Sequence, residues 1–217
     1  AELPRELSIE EIHALIHQYG EAAARVRKAG FDLVEIMAAA GCLPTNFLSP
    51  HDNQRTDMYG GSLHNRMRFL IETVRSIQSH AGADYPISVK LSMDDLEPEG
   101  IRLQETIEVC KALEQEGVVL LNLVIGTHAT AVNSSGFWSW GSAAGMAKQI
   151  REQVSIPVMY TGSIQSPEKA EELLENGSAD FIGTARQVLA DPFWPRKAKE
   201  GKSEDIVPCI RCMIGCT

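Results

Sequence analysis

The sequence predicts an α/β chain built around a parallel sheet, and two observations carry that prediction. Five short apolar runs recur along the 217 residues, each separated from the next by a stretch with helical periodicity and capping residues. Most of those runs are apolar throughout, which is how strands read in a parallel sheet covered on both faces. No internal repeat or low-complexity linker divides the chain, so one domain is expected.

Each element has its own local reason. Ser8 with Glu11 makes a capping-box pattern, and the stretch from there to Ala29 reads as a helix ended by Gly30. FDLVEI (31–36) follows as a strand, and after a polar loop Leu63 to His80 is helical. PISVKLS (86–92) is a strand, Leu103 to Glu116 a helix closed by Gly117, and VVLLNLVIG (118–126) a strand. A loop holding Phe137, Trp138 and Trp140 leads into a helix near Ala143 to Gln153. IPVMYTG (156–162) is a strand, and Pro167 to Glu175 is a helix with proline in its first turn. ADFIGT (179–184) is the last strand, with short helices expected over Arg186 to Ala190 and Pro195 to Glu200.

Bulk properties narrow the function. Hydrophobic content of 44% and charged content of 23% allow a sizeable core. A net charge of −9 argues against nucleic acid or an anionic membrane as partner, because both reward basic surfaces. No apolar run is long enough to span a bilayer, and no basic-then-apolar leader opens the stretch, so a cytoplasmic location is expected. Thiols stay reduced there, which points clustered cysteines toward metal or catalytic roles.

Two architectures fit alternating strands and helices: an open doubly wound sheet, or part of an eight-stranded (β/α)8 barrel of the TIM type. A barrel commonly builds a phosphate site from the loops after its last two strands. Here the last two strands run into Thr161-Gly162-Ser163 and Gly183-Thr184-Ala185-Arg186, where small residues open the backbone to phosphate oxygens and an arginine adds charge. If these are strands seven and eight, the chain holds strands four to eight, an incomplete barrel. Taken alone, the same small residues also suit ordinary turns.

FLSPHDNQRTDMYGGSLHNRMRFL (47–70) closely resembles the signature segment of the old yellow enzyme family of flavin oxidoreductases. The similarity continues through VKLS (89–92), IPVMYTGSI (156–164), ADFIGTARQVLADP (179–192) and PCIRC (208–212), and so covers essentially the whole chain. The closing cysteines place the resemblance in the iron–sulfur branch, with the 2,4-dienoyl-CoA reductases and trimethylamine dehydrogenase. It implies a barrel over 1–207 with FMN at its C-terminal face, and the start of a cysteine-rich iron–sulfur segment over 208–217. It also implies a small organic substrate, NAD(P)H as an electron source, and oligomerisation as an option.

The resemblance carries over to particular residues. Lys90 stands where the family has an arginine near the flavin N1 and O2 edge, and a cation there stabilises the negative charge of the reduced ring. Gly162, Ser163, Ala185 and Arg186 fall where the family holds the FMN phosphate, with Ser163 and Ala185 replacing glycines. Met37, Ala40 and Cys42 occupy positions where the family's reductases place two polar carbonyl-binding residues and a proton-donating tyrosine. Cys42 is then either a weak thiol donor or a small packing residue. Cys209, Cys212 and Cys216 are expected to ligate a 4Fe-4S cluster whose fourth ligand lies outside this chain.

Other residues carry weaker expectations. Asp94, Asp95, Glu97 and Glu99 form an acidic loop that suits either solvent or a hard cation. His128, Phe137, Trp138 and Trp140 are candidates to line a pocket, and Cys110 is read as core. Glu35 is expected to pair with a cation inside the barrel, and Arg55 and Arg66 to brace the signature loop. Two other function classes stay open: a barrel lyase using Lys90 as a Schiff base beside the phosphate site, and a non-catalytic relative acting as a binding or assembly subunit.

Overall fold

The computed structural model describes residues 5–127, 141 and 143–212. Its strands are β1 (Val34–Ala38), β2 (Ile87–Ser92), β3 (Leu120–Val124), β4 (Val158–Thr161) and β5 (Phe181–Gly183). They form one sheet in the order β1-β2-β3-β4-β5, every pair parallel. A doubly wound sheet reverses its strand order at a switch point, and this one never does. Right-handed crossovers in strictly sequential order bring all the connecting helices to one face. The chain therefore folds as five successive strands of a (β/α)8 barrel, with β1 and β5 at the edges of the described sheet.

The helices are α1 (Ile9–Lys28), α2 (Leu43–Leu48), α3 (Leu63–Arg66), α4 (Arg68–Ala81), α5 (Leu103–Gln115), α6 (Ala144–Arg151), α7 (Pro167–Glu175), α8 (Arg186–Ala190) and α9 (Trp194–Lys199). At the start of α1 the capping box is complete: Glu11 N–H donates to Ser8 Oγ at 3.2 Å, and Ser8 N–H donates to the Glu11 carboxylate at 2.8 Å. Arg5 adds a second clamp, and together these bonds hold the Glu11 carboxyl at about 2. The segment expected as one helix over 63–80 is broken at Met67 into α3 and α4. The six residues of α2 fall in what reads as a polar loop, because so short a helix shows no full period of apolar residues. β1 starts three residues later than expected, since pairing with β2 begins at Val34↔Ile87.

Register explains which side chains face where. Ile36, Val89, Leu121 and Val158 lie side by side across four strands and are fully buried. They pack against Val74 and Ile77 of α4, Val109 and Leu113 of α5, and Ile150 of α6. The adjacent row reads Met37, Lys90, Asn122, Met159, Phe181. This second face is not the continuous apolar surface the strand runs suggest. It carries Glu35, Ser88, Lys90, Asn122 and Thr161, and leaves Met37 and Phe181 41% and 52% exposed.

The signature loop before α3 is braced as the two arginines suggest. Arg66 is buried and donates to the carbonyls of Leu48 and Gly61 and to the Glu105 carboxylate on α5. Arg55 pairs in two-pronged fashion with Asp57, at 3.1 and 2.5 Å, and donates to Leu7 O at 2.7 Å. The Asn53 amide spans the loop, donating to Phe47 O and Tyr59 O at 2.6 and 2.8 Å. Gly60 fits because a Cβ there would lie 2.1 Å from Arg55 O.

Two outcomes test this architecture. Arg66→Ala leaves the buried Leu48 carbonyl, the Gly61 carbonyl and the Glu105 carboxylate without their donor, and is expected to cost about 3 kcal/mol in urea unfolding. Two free parallel edges invite pairing with other chains, so the 217-residue chain on its own is expected to self-associate in sedimentation velocity, and a clean monomer would contradict this.

Candidate functional site

The loops leaving β4 and β5 meet at the C-terminal end of the sheet and enclose a cavity of ≈ 140 Å³. Gly162, Ser163, Ala185 and Arg186, singled out separately in the sequence, all line it. Thr184 Oγ donates to Ile164 O at 3.4 Å and ties the two loops together. Ser163 adopts φ +47°, a left-handed conformation that favours glycine and exposes bare backbone to the cavity. Gly183 permits close approach of the strands, because a Cβ there would lie 2.0 Å from Thr161 Oγ.

Arg211 and Cys209 line the same cavity, brought in from the C-terminal segment. Sequence reading missed Arg211. The only signal for it was its position inside PCIRC, where the cysteines drew the attention. Two arginines among small residues suit a phosphate monoester, since each guanidinium offers a planar fork to oxygen pairs.

Lys90 does not line this cavity. It sits on β2, two strands away from β4, at a lateral separation of about 10 Å. Among the described residues it makes no hydrogen bond or ion pair. Beside it runs a polar chain across the inner face. Ser88 Oγ donates to Glu35 at 3.0 Å, Asn122 Nδ2 donates to both Glu35 oxygens at 3.0 and 3.3 Å, and Thr161 Oγ donates to Asn122 Oδ1 at 2.8 Å. Glu35 is thus held by a hydroxyl and an amide and not by the expected cation. The chain ends at Thr161, on the cavity wall. A hydrogen-bonded polar surface thus runs from the Lys90 row toward the cavity.

The stretch after β1 contributes little polarity. Met37 shares the Lys90 row, Ala38 and Ala39 are buried, and Ala40 turns the chain at φ +55° with its N–H on Ser92 Oγ at 3.4 Å. Cys42 is the N-cap residue of α2 and makes no side-chain cap bond. Burial, with a smaller contribution from nearby Cys42, pushes the Tyr19 hydroxyl up. His128, Phe137, Trp138 and Trp140 lie outside the described residues.

Of the three clustered cysteines, Cys209 is half-buried at the cavity wall and Cys212 is exposed, while Cys216 lies outside the described residues. Among the described residues no group of three or more His, Cys, Asp and Glu is placed to hold a metal. In the acidic loop, Asp94 accepts Leu96 N–H at 2.7 Å and Arg102 at 3.2 Å. Asp95 is buried, accepts Ser49 Oγ at 2.6 Å and Ile101 N–H at 3.0 Å, and burial raises its carboxyl. Cys110 is core, as read, and burial pushes its thiol up. A larger cavity of ≈ 420 Å³ lies between the N-terminal segment and the signature loop, but its two arginines, Arg5 and Arg55, are already paired with Glu11 and Asp57.

Comparison with known proteins bears on the family and the fold. A family model described as NADH:flavin oxidoreductase / NADH oxidase matches residues 1–205. An NADH oxidase of Thermoanaerobacter brockii is 42% identical over 216 residues, covering 98% of this chain and 33% of that protein. A metal reductase of Desulforamulus reducens is 43% identical over 216 residues, covering 99% of this chain and 32% of its own. A solved structure of a 2-naphthoyl-CoA reductase complex superposes with a TM-score of 0.92 at 33% identity, covering 98% of this chain and 33% of that one. The chain thus spans about a third of the length of these relatives.

The site geometry is checked at Gly183. Gly183→Ala drives a methyl into Thr161 Oγ and breaks its bond to Asn122. It is expected to cost about 1–3 kcal/mol in urea unfolding, and Gly183→Ala combined with Thr161→Val is expected to cost less than the sum of the two.

Proposed function

The chain belongs to the NADH:flavin oxidoreductase / NADH oxidase family, and we propose that it forms the cofactor-holding part of an FMN-dependent oxidoreductase. In this reading reducing equivalents move between NAD(P)H and a small organic substrate. The observation that carries it is the pairing of a small, arginine-bearing cavity at the ends of β4 and β5 with Lys90 across the polar inner face. Residues 1–207 make the barrel portion, and 208–217 begin a cysteine-rich segment.

FMN fits these residues on their chemistry. Gly162, Ser163 and Ala185 leave the cavity wall free of bulk, and Arg186 supplies the counter-charge for a phosphate. Lys90, whose side chain has no partner among the described residues, is available to the ring's electron-rich edge, where its ammonium favours the charge that reduction adds. Lysine keeps that charge but gives up the fork of the family arginine. When bound, the flavin supplies two-electron transfer, and the chain supplies orientation and electrostatics.

The substrate follows from what the β1 end lacks. Met37, Ala40 and Cys42 offer no strong donor for a carbonyl, which suits an amine or a larger conjugated acid better than a simple enone. Cys209, Cys212 and Cys216 are soft thiolate ligands of the kind a 4Fe-4S cluster takes, with the fourth ligand supplied from outside this chain.

An absorbance spectrum of the anaerobically purified full-length gene product, with iron and sulfide assayed on the same sample, tests this reading. Resolved flavin bands are expected above a broad iron–sulfur shoulder, and a colourless protein would instead favour a scaffold that has lost catalysis. Lys90→Met is expected to lower the flavin reduction potential and reduce kcat/KM for NAD(P)H oxidation by about tenfold or more, measured by redox titration and stopped-flow reduction.

A further inference from the structure

The segment that carries the cysteines is fastened to the phosphate cavity by side chains that have no other evident task. Gln187, only 2% exposed, uses both ends of its amide: Nε2 donates to Val207 O at 2.9 Å, and Oε1 accepts Cys209 N–H at 2.9 Å. The two bonds bracket Pro208, which has no N–H of its own to offer. Gln165, from the β4 loop, donates through its side-chain amide to Cys209 O. Val207 N–H donates to buried Asp191 at 3.0 Å, and Lys197 secures that carboxylate at 2.7 Å. Two residues beyond this clamp, Arg211 turns at φ +55° and lines the cavity with Arg186.

The charge balance sharpens the point. The chain carries −9 overall, yet the residues lining this cavity include two arginines and no carboxylate. We propose that Arg211 is a second ligand of the cofactor phosphate, presented by the Gln187 and Gln165 clamp, so that occupancy of the phosphate site also orders the segment bearing Cys209 and Cys212. This rests on the flavin reading above for the identity of the phosphate. Gln187 and Gln165 act here as positioning residues. They hold backbone, and the backbone delivers the guanidinium.

Riboflavin provides the control, because it has the ring and the polyol but no phosphate. The full-length gene product, stripped of flavin, is titrated with FMN and with riboflavin by flavin fluorescence. Wild type is expected to prefer FMN. Arg211→Ala should weaken FMN about tenfold or more while leaving riboflavin unchanged, and Arg211→Lys should restore part of the loss. Gln187→Leu should weaken FMN as well, but add little once Arg211 is already alanine. Hydrogen exchange over 207–212 should slow on FMN binding in wild type and not in Arg211→Ala. An unchanged FMN-to-riboflavin ratio in Arg211→Ala, with wild type still preferring FMN, would overturn the proposal and leave the flavin reading intact. Wild type that binds neither flavin would overturn both. Should Arg211→Ala not fold, the lysine variant and Gln187→Leu decide by the same ratio.

Discussion

A sheet whose strands follow one another in chain order, all parallel, can have its crossover helices on one face only. The remaining features depend on that constraint. The helix face becomes the dry core, with Ile36, Val89, Leu121 and Val158 in one continuous row. Among the described residues no helix covers the opposite face, and its polar groups are satisfied by side chains of the sheet itself. Ser88 and Asn122 both donate to Glu35, and Thr161 donates to Asn122, so the bonds link β1 through β4 toward the cavity. Buried polar groups demand partners, so this chain of bonds also aligns the register that places Lys90 and Thr161.

Position along the strands then separates stability from chemistry. The braces of the signature loop, Arg66 to Glu105 and Arg55 to Asp57, tie loop, α3 and α5 together outside the sheet. Asp95 serves the same purpose between Ser49 and the loop before α5. None of these charged groups faces the phosphate cavity. The positive charge that does, on Arg186 and Arg211, comes from two stretches some twenty-five residues apart that the bonds of Gln187, Gln165 and Asp191 bring together. An acidic protein thereby places two cationic groups at one concave spot.

Membership of the NADH:flavin oxidoreductase / NADH oxidase family and the geometry of the site support one another from different directions. The match covers residues 1–205 and says which fold to expect. Met37, Ala40 and Cys42 give the end of β1 little hydrogen-bonding capacity of its own.

Much of this was legible in the sequence, for identifiable reasons. Apolar runs between capped helices revealed five strands, the Ser8–Glu11 box marked the start of α1, and Gly162, Ser163, Ala185 and Arg186 were found because small residues after a strand are a local signal. The brace residues Arg55 and Arg66 were equally readable, since they sit inside one contiguous motif. What the sequence could not determine was anything set by register or by long-range packing. The partner of Glu35 is Asn122, 87 residues away, and no local pattern announces it. The break at Met67 and the short α2 have no period to read. Arg211 is unremarkable among cysteines until Gln187 carries its backbone to the cavity wall. Local chemistry chose the elements, and only the fold of the sheet decided which distant side chains would meet, because hydrogen bonds and charges act over a few ångströms in space whatever their separation along the chain.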